Sequence, residues 1–408
     1  MSKKKGKKTM TIIISSIGLL LIIAVASLFI ISGVFRSPKY LEPWETTYSQ
    51  KFEDPRIRLI AHGLLAANGH NMQPWKIRLD RDNPLAFYLY ADSDRLTNEV
   101  DPFARQMMVT QGTFLEYVKI AGDELGYKST VELFPQGDYD EQQLLESMNT
   151  TPVAKITLTK DNPLSSPLYD PIFLPDTNRV AYQSTKLTSE QIDQLINLTT
   201  DMNMAIKIFQ DKENVDKLGS YAMNAATIEA GVTRVMKESE IIFRANEYQK
   251  NKFRYGFSFE GQGTSGLMRH LMQGLVTLFP SMNSGQAAAD MFIKSAQTSV
   301  DNTPAYAMII TKDNSRSSQI QSGMLYSKLT LTAHRLGFVV QPLSQALEEY
   351  PEMKEPYNSI HLDYASDGGT IQVLVRLGKP TKEVPQSMRR DVMDLIECDP
   401  ITIDIMGE

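Results

Sequence analysis

A single cysteine, Cys398, in 408 residues excludes an internal disulfide and any thiolate cage for a metal. The five histidines (His62, His70, His270, His334, His361) fall in no His-x-x-x-His or His-x-His spacing, so no metal site is expected. No Gly-x-Ser-x-Gly elbow is present, which removes that route to a nucleophilic serine. Low-complexity tracts are missing too, and 42% hydrophobic with 22% charged residues is ordinary globular composition. Positive charge is scarce where it would matter. The net charge is -6, yet Lys3, Lys4, Lys5, Lys7 and Lys8 all stand in the first eight residues. The rest is acidic, which argues against a nucleic-acid partner.

Long apolar runs are limited to one. Thr9 to Phe35 holds no charged residue, and Ile12 to Val34 is nearly continuous. As a helix it is long enough for a ~30 Å hydrocarbon core. Ala24-Val25-Ala26 has the form of a signal-cleavage site, but the apolar run continues past it to Ile31, as in an uncleaved anchor. The lysines before it predict a cytoplasmic tail at 1–8, a membrane span at 9–35 and an extracytoplasmic remainder.

Residues 36–50, with Pro38 and Pro43, read as a tether. Asp54-Pro55 opens a helix to Ala67, and Asp101-Pro102 opens a long one ending at Leu125-Gly126. Strands are expected near 76–79, 131–134 and 154–158 from their alternation, with 84–90 as a candidate partner for the first. Four prolines between Asn162 and Asp176 mark a boundary, giving units at 51–165 and 166–408. In the second, Thr188 caps a helix, Lys212 to Asn251 is helical, and Phe253 to Gly285 reads as irregular. Strands follow at 306–311 and 371–376, around a helix from Ser318 ending at Leu336-Gly337. Two long helices ending in Leu-Gly hint at two related units. The fold class is α+β.

Gly261-Gln262-Gly263-Thr264-Ser265-Gly266 matches the dinucleotide fingerprint by letter but lacks the surrounding βαβ unit, so it reads as a loop. Glu348-Glu349 reads as part of a solvated helix face. The stretch His70-Asn71-Met72-Gln73-Pro74-Trp75 carries more: two amides that pair with a heterocycle or polyol, a fixed φ and an apolar indole wall. Thr177-Asn178-Arg179 and Arg389-Arg390 supply a hydroxyl and guanidinium groups suited to a phosphate.

Taken in order, Asn71-x-Gln73-Pro74-Trp75, Thr177-x-Arg179, the long helix ending Leu336-Gly337-Phe338, and Gly378-Lys379-Pro380 followed by Arg389-Arg390 resemble the nitroreductase family. The resemblance covers roughly residues 54–395, and it is nearest the Acg-like branch, in which two nitroreductase units are fused in tandem. It implies a central mixed, mostly antiparallel sheet flanked by helices, doubled as a pseudo-dimer, with FMN bound between the units. By that resemblance Asn71 and Gln73 meet the flavin ring or ribityl chain, beside Pro74 and Trp75. Thr177, Arg179, Arg389 and Arg390 hold the phosphate, and a backbone N–H at Ser344 or Gln345 faces N5. Two departures stand out: Pro175 replaces an expected arginine, and Pro342-Leu343-Ser344-Gln345 lacks the usual glycine. A segment at about 212–284 is extra. The implied function is two-electron chemistry on a small molecule, with a membrane quinone or a redox protein as electron donor. The alternative is a non-catalytic protein that binds flavin or serves as an extracytoplasmic interaction module.

Overall fold

The computed structural model of the chain describes residues 2–397, with side chains from Met10 onward. Cys398 and the side chains of the five N-terminal lysines lie outside the described residues. In chain order the elements are α1 (Ser2–Ser32), α2 (Pro55–Gly63), β1 (Trp75–Leu79), β2 (Ala86–Ala91), α3 (Arg105–Leu125), β3 (Tyr127–Leu133), α4 (Leu144–Thr150) and β4 (Ala154–Lys160). The second half adds α5 (Ser189–Ile196), β5 (Met204–Phe209), α6 (Lys212–Gly231), α7 (Thr233–Ile241), α8 (Glu247–Phe253), α9 (Gly266–Leu278) and α10 (Gly285–Asp301). It closes with β6 (Ala305–Thr311), α11 (Arg316–Arg335), β7 (Val339–Pro342), α12 (Lys354–Tyr364) and β8 (Thr370–Gly378).

The strands form two four-stranded sheets, ordered β1-β2-β4-β3 and β5-β6-β8-β7, with every pairing antiparallel. In both, the last strand inserts between the second and third, after a long helix, a strand and a short helix. The fold is therefore α+β with two units of like topology. Helices α6–α10 are inserted between β5 and β6, where the first unit has only a short turn between β1 and β2.

Local signals explain many boundaries. Asp54 accepts from the Arg56 N–H with Pro55 at the first helical position of α2, and Thr188 forms a full capping box with Gln191 before α5. Gly126 and Gly337 take φ of 79° and 76°, ending α3 and stopping the chain after α11 in the left-handed conformation that glycine adopts at no steric cost. Three expectations differ. Residues 253–285 are not irregular, because α9 occupies 266–278, and its Leu-rich sequence packs against α1. Residues 36–50 do not hang free: Tyr40, Trp44 and Tyr48 are buried, the last two in the first core. Strands β5 and β7 and helix α12 carry patterns too short or too mixed to read from the sequence.

The two units meet where α3 crosses α11. Arg105 and Arg316, Gly112 and Gly323, and the two Leu-Gly ends stand at one common offset along the chain. At the crossing a Cβ on Gly112 would lie 1.8 Å from the Ile320 carbonyl oxygen, and one on Gly323 would lie 1.9 Å from that of Val109. Backbone thus touches backbone, and Ser327 Oγ donates to the Thr113 carbonyl (3.1 Å) across the same seam. Gly323→Ala is expected to wedge the helices apart and cost roughly 1–3 kcal/mol or more. Gly231→Ala, where nothing lies within 4 Å, is the control and should be near neutral. Thermal unfolding of both variants, with equal losses, would refute this account.

Candidate functional site

Between α2 and β1 the backbone is forced: His70, Asn71 and Gln73 take φ of 52°, 54° and 51°. Three non-glycine residues in the left-handed region within four positions hold strain that the surroundings must offset. Asn68 helps, its Oδ1 accepting from the Gln73 N–H (2.8 Å). Gln73 is fully buried and donates to the Arg254 carbonyl (2.9 Å), while its Oε1 accepts from the Arg390 N–H (2.7 Å). Asn71 donates to the carbonyls of Gly256 (3.2 Å) and Met388 (3.1 Å) and accepts from Arg389 (3.0 Å). Both amides therefore read the chain's own backbone. Trp75 is fully buried, its indole N–H donating to the Thr110 carbonyl (3.2 Å), and Pro74 lends its carbonyl to Gln111 (3.0 Å).

The arginine pair is similarly engaged. Arg389, fully buried, donates to the Leu65 carbonyl (2.9 Å), pairs with Asp176 (3.5 Å) and lies over Trp44 (4.5 Å). Arg390 donates to the Gln73 (3.2 Å) and Asp394 carbonyls, and burial lowers its pKa to about 10. The structure brings these residues together as the brace of one turn.

That turn borders a cavity of about 490 Å³, within the ~300–1,000 Å³ typical of small-molecule sites. Its wall includes Asn68, Gly69 and His70 from the turn, Val109, Thr110 and Thr113 from α3, and Tyr326 from α11. Thr177, Arg179, Ser344 and Gln345 also line it, so four of the expected site residues share one space. Asn71 and Pro175 border an adjacent void of about 70 Å³, which shares Asn68, His70, Thr177 and Arg179 with the larger one. Burial and the nearby Arg179 push His70 down to about 4, so it is neutral near pH 7. Arg179 donates one hydrogen bond to the Gly261 carbonyl (2.9 Å), which assigns the Gly-rich loop a part in fixing it.

Three side chains that sequence reasoning passed over, and one that it read as solvated, matter here. Arg105, buried, donates to the carbonyls of Gln372 (2.8 Å) and Leu347 (2.7 Å) and pairs with Glu349 (3.2 Å). Arg376, buried, donates to Gln341 Oε1 (2.7 Å) and to the Val180 carbonyl (2.7 Å), so it ties β7 and β8 to the strand of chain carrying Arg179. Glu229 and Glu348 both line the cavity and are buried, and each has one carboxyl oxygen without a partner. Glu348 thus does not sit on a solvated face. A signal for Glu229 was available: Ala222, Ala225, Ala226 and Glu229 share a helical spacing, which puts an acid on an apolar stripe. Glu348 had none, since its burial depends on the turn after β7.

No protein-family model matches the sequence, and no curated protein matches it. Solved structures similar to it include nitroreductase-like proteins, several of them bound to or dependent on FMN. They include a nitroreductase with bound FMN from Desulfitobacterium hafniense, 9% identical, TM-score 0.33, matching 58% of this chain and 100% of that one. The FMN-dependent nitroreductase from Mycobacterium smegmatis in complex with NADPH is 12% identical at TM-score 0.33, over 55% of this chain and 94% of that one. A BluB-like flavoprotein from Clostridium difficile is 11% identical at TM-score 0.32, over 58% and 100%. At this distance the likeness places no residue.

Burial raises Glu229 from 4.5 to about 7, and burial together with Glu229 and Asp101 raises Glu348 well above the carboxylate range. Two like charges in one dry wall cannot both form cheaply, so the pair retains a proton. As pH climbs from about 4.5 the unfolded chain ionises first, so the Glu229 contribution to stability falls until about pH 7 and then levels off. Glu229→Gln should therefore unfold later than the parent at pH 8, by roughly 1–3 kcal/mol, with the gap closing at pH 5. Melting curves with an equal gap at both pH values would contradict this.

Proposed function

We propose that the chain is an FMN-dependent oxidoreductase of the nitroreductase type, of the tandem Acg-like form, that exchanges electron pairs with a small molecule. The observation that carries this reading is the cavity between two units of like topology, whose wall carries Thr177 and Arg179 together with Ser344 and Gln345. When bound, FMN supplies the two-electron chemistry, and the protein orients and tunes it. The residues fit such a group: Arg179 and Thr177 suit its anionic end, and Ser344 and Gln345 a ring edge. Asn71, Gln73, Pro74 and Trp75 shape the turn behind that space, and Arg389 and Arg390 brace it rather than reach the phosphate. Glu229 and Glu348 store a proton in the wall, which a two-electron reduction of an organic molecule consumes.

Among the described residues one helix, at Met10–Ser32, is long and apolar enough to cross a membrane, with a mean hydropathy of 2.8. In this reading it anchors the protein with its lysines in the cytoplasm and the two units outside. The electron donor is then a membrane quinone or a redox protein. The second reading, a nitroreductase-fold protein that binds flavin without turnover or serves as an interaction module, is favoured by one fact. Arg389 and Arg390 are spent on the chain's own carbonyls.

An absorbance spectrum of the detergent-solubilised chain, before and after FMN and desalting, tests the proposal. Retained flavin bands that bleach with a reductant and recover with substrate support the enzyme. Retained flavin without turnover supports the second reading, and a colourless protein refutes flavin binding altogether. Arg179→Ala should weaken FMN at least about tenfold, equivalent to about 1.4 kcal/mol.

A further inference from the structure

Helix α9 is built inside out. Its polar residues turn inward: Gln273 and His270 are buried, Gln273 donates to Glu247 (3.0 Å), and Arg269 pairs with Glu260 (3.1 Å). These reach a buried centre in which Lys250 binds Glu247 (2.6 Å), Glu260 and the Tyr40 hydroxyl (2.7 Å). Val276 is buried and Met272 is partly buried, but four large apolar side chains at the two ends of the helix turn outward. Leu267 is 75% exposed, Met268 57%, Leu278 49% and Phe279 56%. No charged residue occurs between His270 and Asp290. Facing water, this arrangement exposes apolar surface while burying polar groups at a cost.

The position of α9 resolves the contradiction. It packs on the C-terminal end of α1, where a Cβ on Gly274 would lie 2.4 Å from the Leu28 carbonyl oxygen, and Ser32 Oγ meets His270 Nδ1 at 3.2 Å. The two contacts, His270 on Ser32 and Gly274 on Leu28, run α9 antiparallel along the last turns of the candidate span, so its exposed apolar face adjoins the apolar surface of that span. A helix with an apolar outer face at that level suits the boundary of headgroups and acyl chains. The same insert walls the cavity: Met272 of α9 and Met291 and Phe292 of α10 line it. Met291 is also 43% exposed, so it stands at the rim between cavity and exterior, with Asp290 and Lys294 beside it.

We propose that α9 and the turn after it lie in the surface of the bilayer that α1 spans, and that the cavity opens beside this lipid-facing surface at Met291. Its substrate is then an apolar molecule dissolved in the membrane. This rests on reading α1 as an anchor, and the experiment separates the two.

Because Cys398 is the only cysteine, a full-length Cys398→Ser protein accepts single labels. Leu267→Cys, Phe279→Cys and Met291→Cys would each carry an environment-sensitive fluorophore, in phosphatidylcholine vesicles with or without nitroxide-labelled phosphatidylcholine. Leu20→Cys reports the span, and Met202→Cys, at an 87% exposed site in the second unit, reports water. The expected result is blue-shifted emission quenched by nitroxide lipid at 20, 267 and 279, partial quenching at 291 and none at 202. Quenching at 20 alone keeps the anchor and overturns the lipid-facing surface. No quenching at 20 overturns the anchor and this proposal with it. If 267 and 279 are quenched but 291 is not, the surface stands and the lipid-side opening falls. Met282→Cys serves as a second turn position should Phe279→Cys misfold.

Discussion

The contact of two glycines, Gly112 and Gly323, governs the molecule. Without side chains at those positions α3 and α11 close to backbone distance, and each long helix becomes part of the other unit's surroundings. Ile320 and Leu331 of α11 join the first core, while Val109 of α3 joins a core of the second. The cavity floor follows from the same crossing. Val109, Thr110 and Thr113 project from one helix and Tyr326 from the other, so a wider helix spacing would change the shape of the space. The crossing thereby holds the two sheets and their helices in one fixed relation within a single polypeptide.

Around that floor the protein spends its buried cations on itself. Arg376, Arg389, Arg390 and Arg105 all donate to main-chain carbonyls. A guanidinium with its rigid fork is well suited to this, since it can hold several strands of chain in fixed relation at once. Of the expected phosphate arginines, only Arg179 lines the cavity. The opposite charge is treated differently. Glu229 and Glu348 are left with unpartnered oxygens in a dry wall, a costly placement for structure alone. Buried groups with displaced titration beside a cavity are a common mark of a functional site.

Much of the architecture was legible. The capping residues Asp54 and Thr188, the Leu-Gly ends of the two long helices, the alternation in β1, β3 and β4 and the apolar runs of β6 and β8 mark elements by local chemistry. The helical insert was visible through α6, but α9 was hidden by the glycines before it and by a pattern that puts its polar residues inside. In the candidate site, Thr177, Arg179, Ser344 and Gln345 were picked out with their place in the cavity unknown. Asn71, Gln73, Arg389 and Arg390 were picked out together, and they do meet one another. Their partners, however, are backbone carbonyls that no residue letter encodes.

The sequence by itself determined most of the longer elements, one long apolar helix and the acidic balance of the rest, because these follow from local pattern and composition, and it hinted at two related units. Only the tertiary structure decided which polar groups face the cavity and which are consumed by the chain. It also decided that Glu348 is buried and that α9 shows its apolar face outward. These outcomes depend on which distant segments share a volume, and a buried group's partner, charge and cost are set by that shared space rather than by its own stretch of chain.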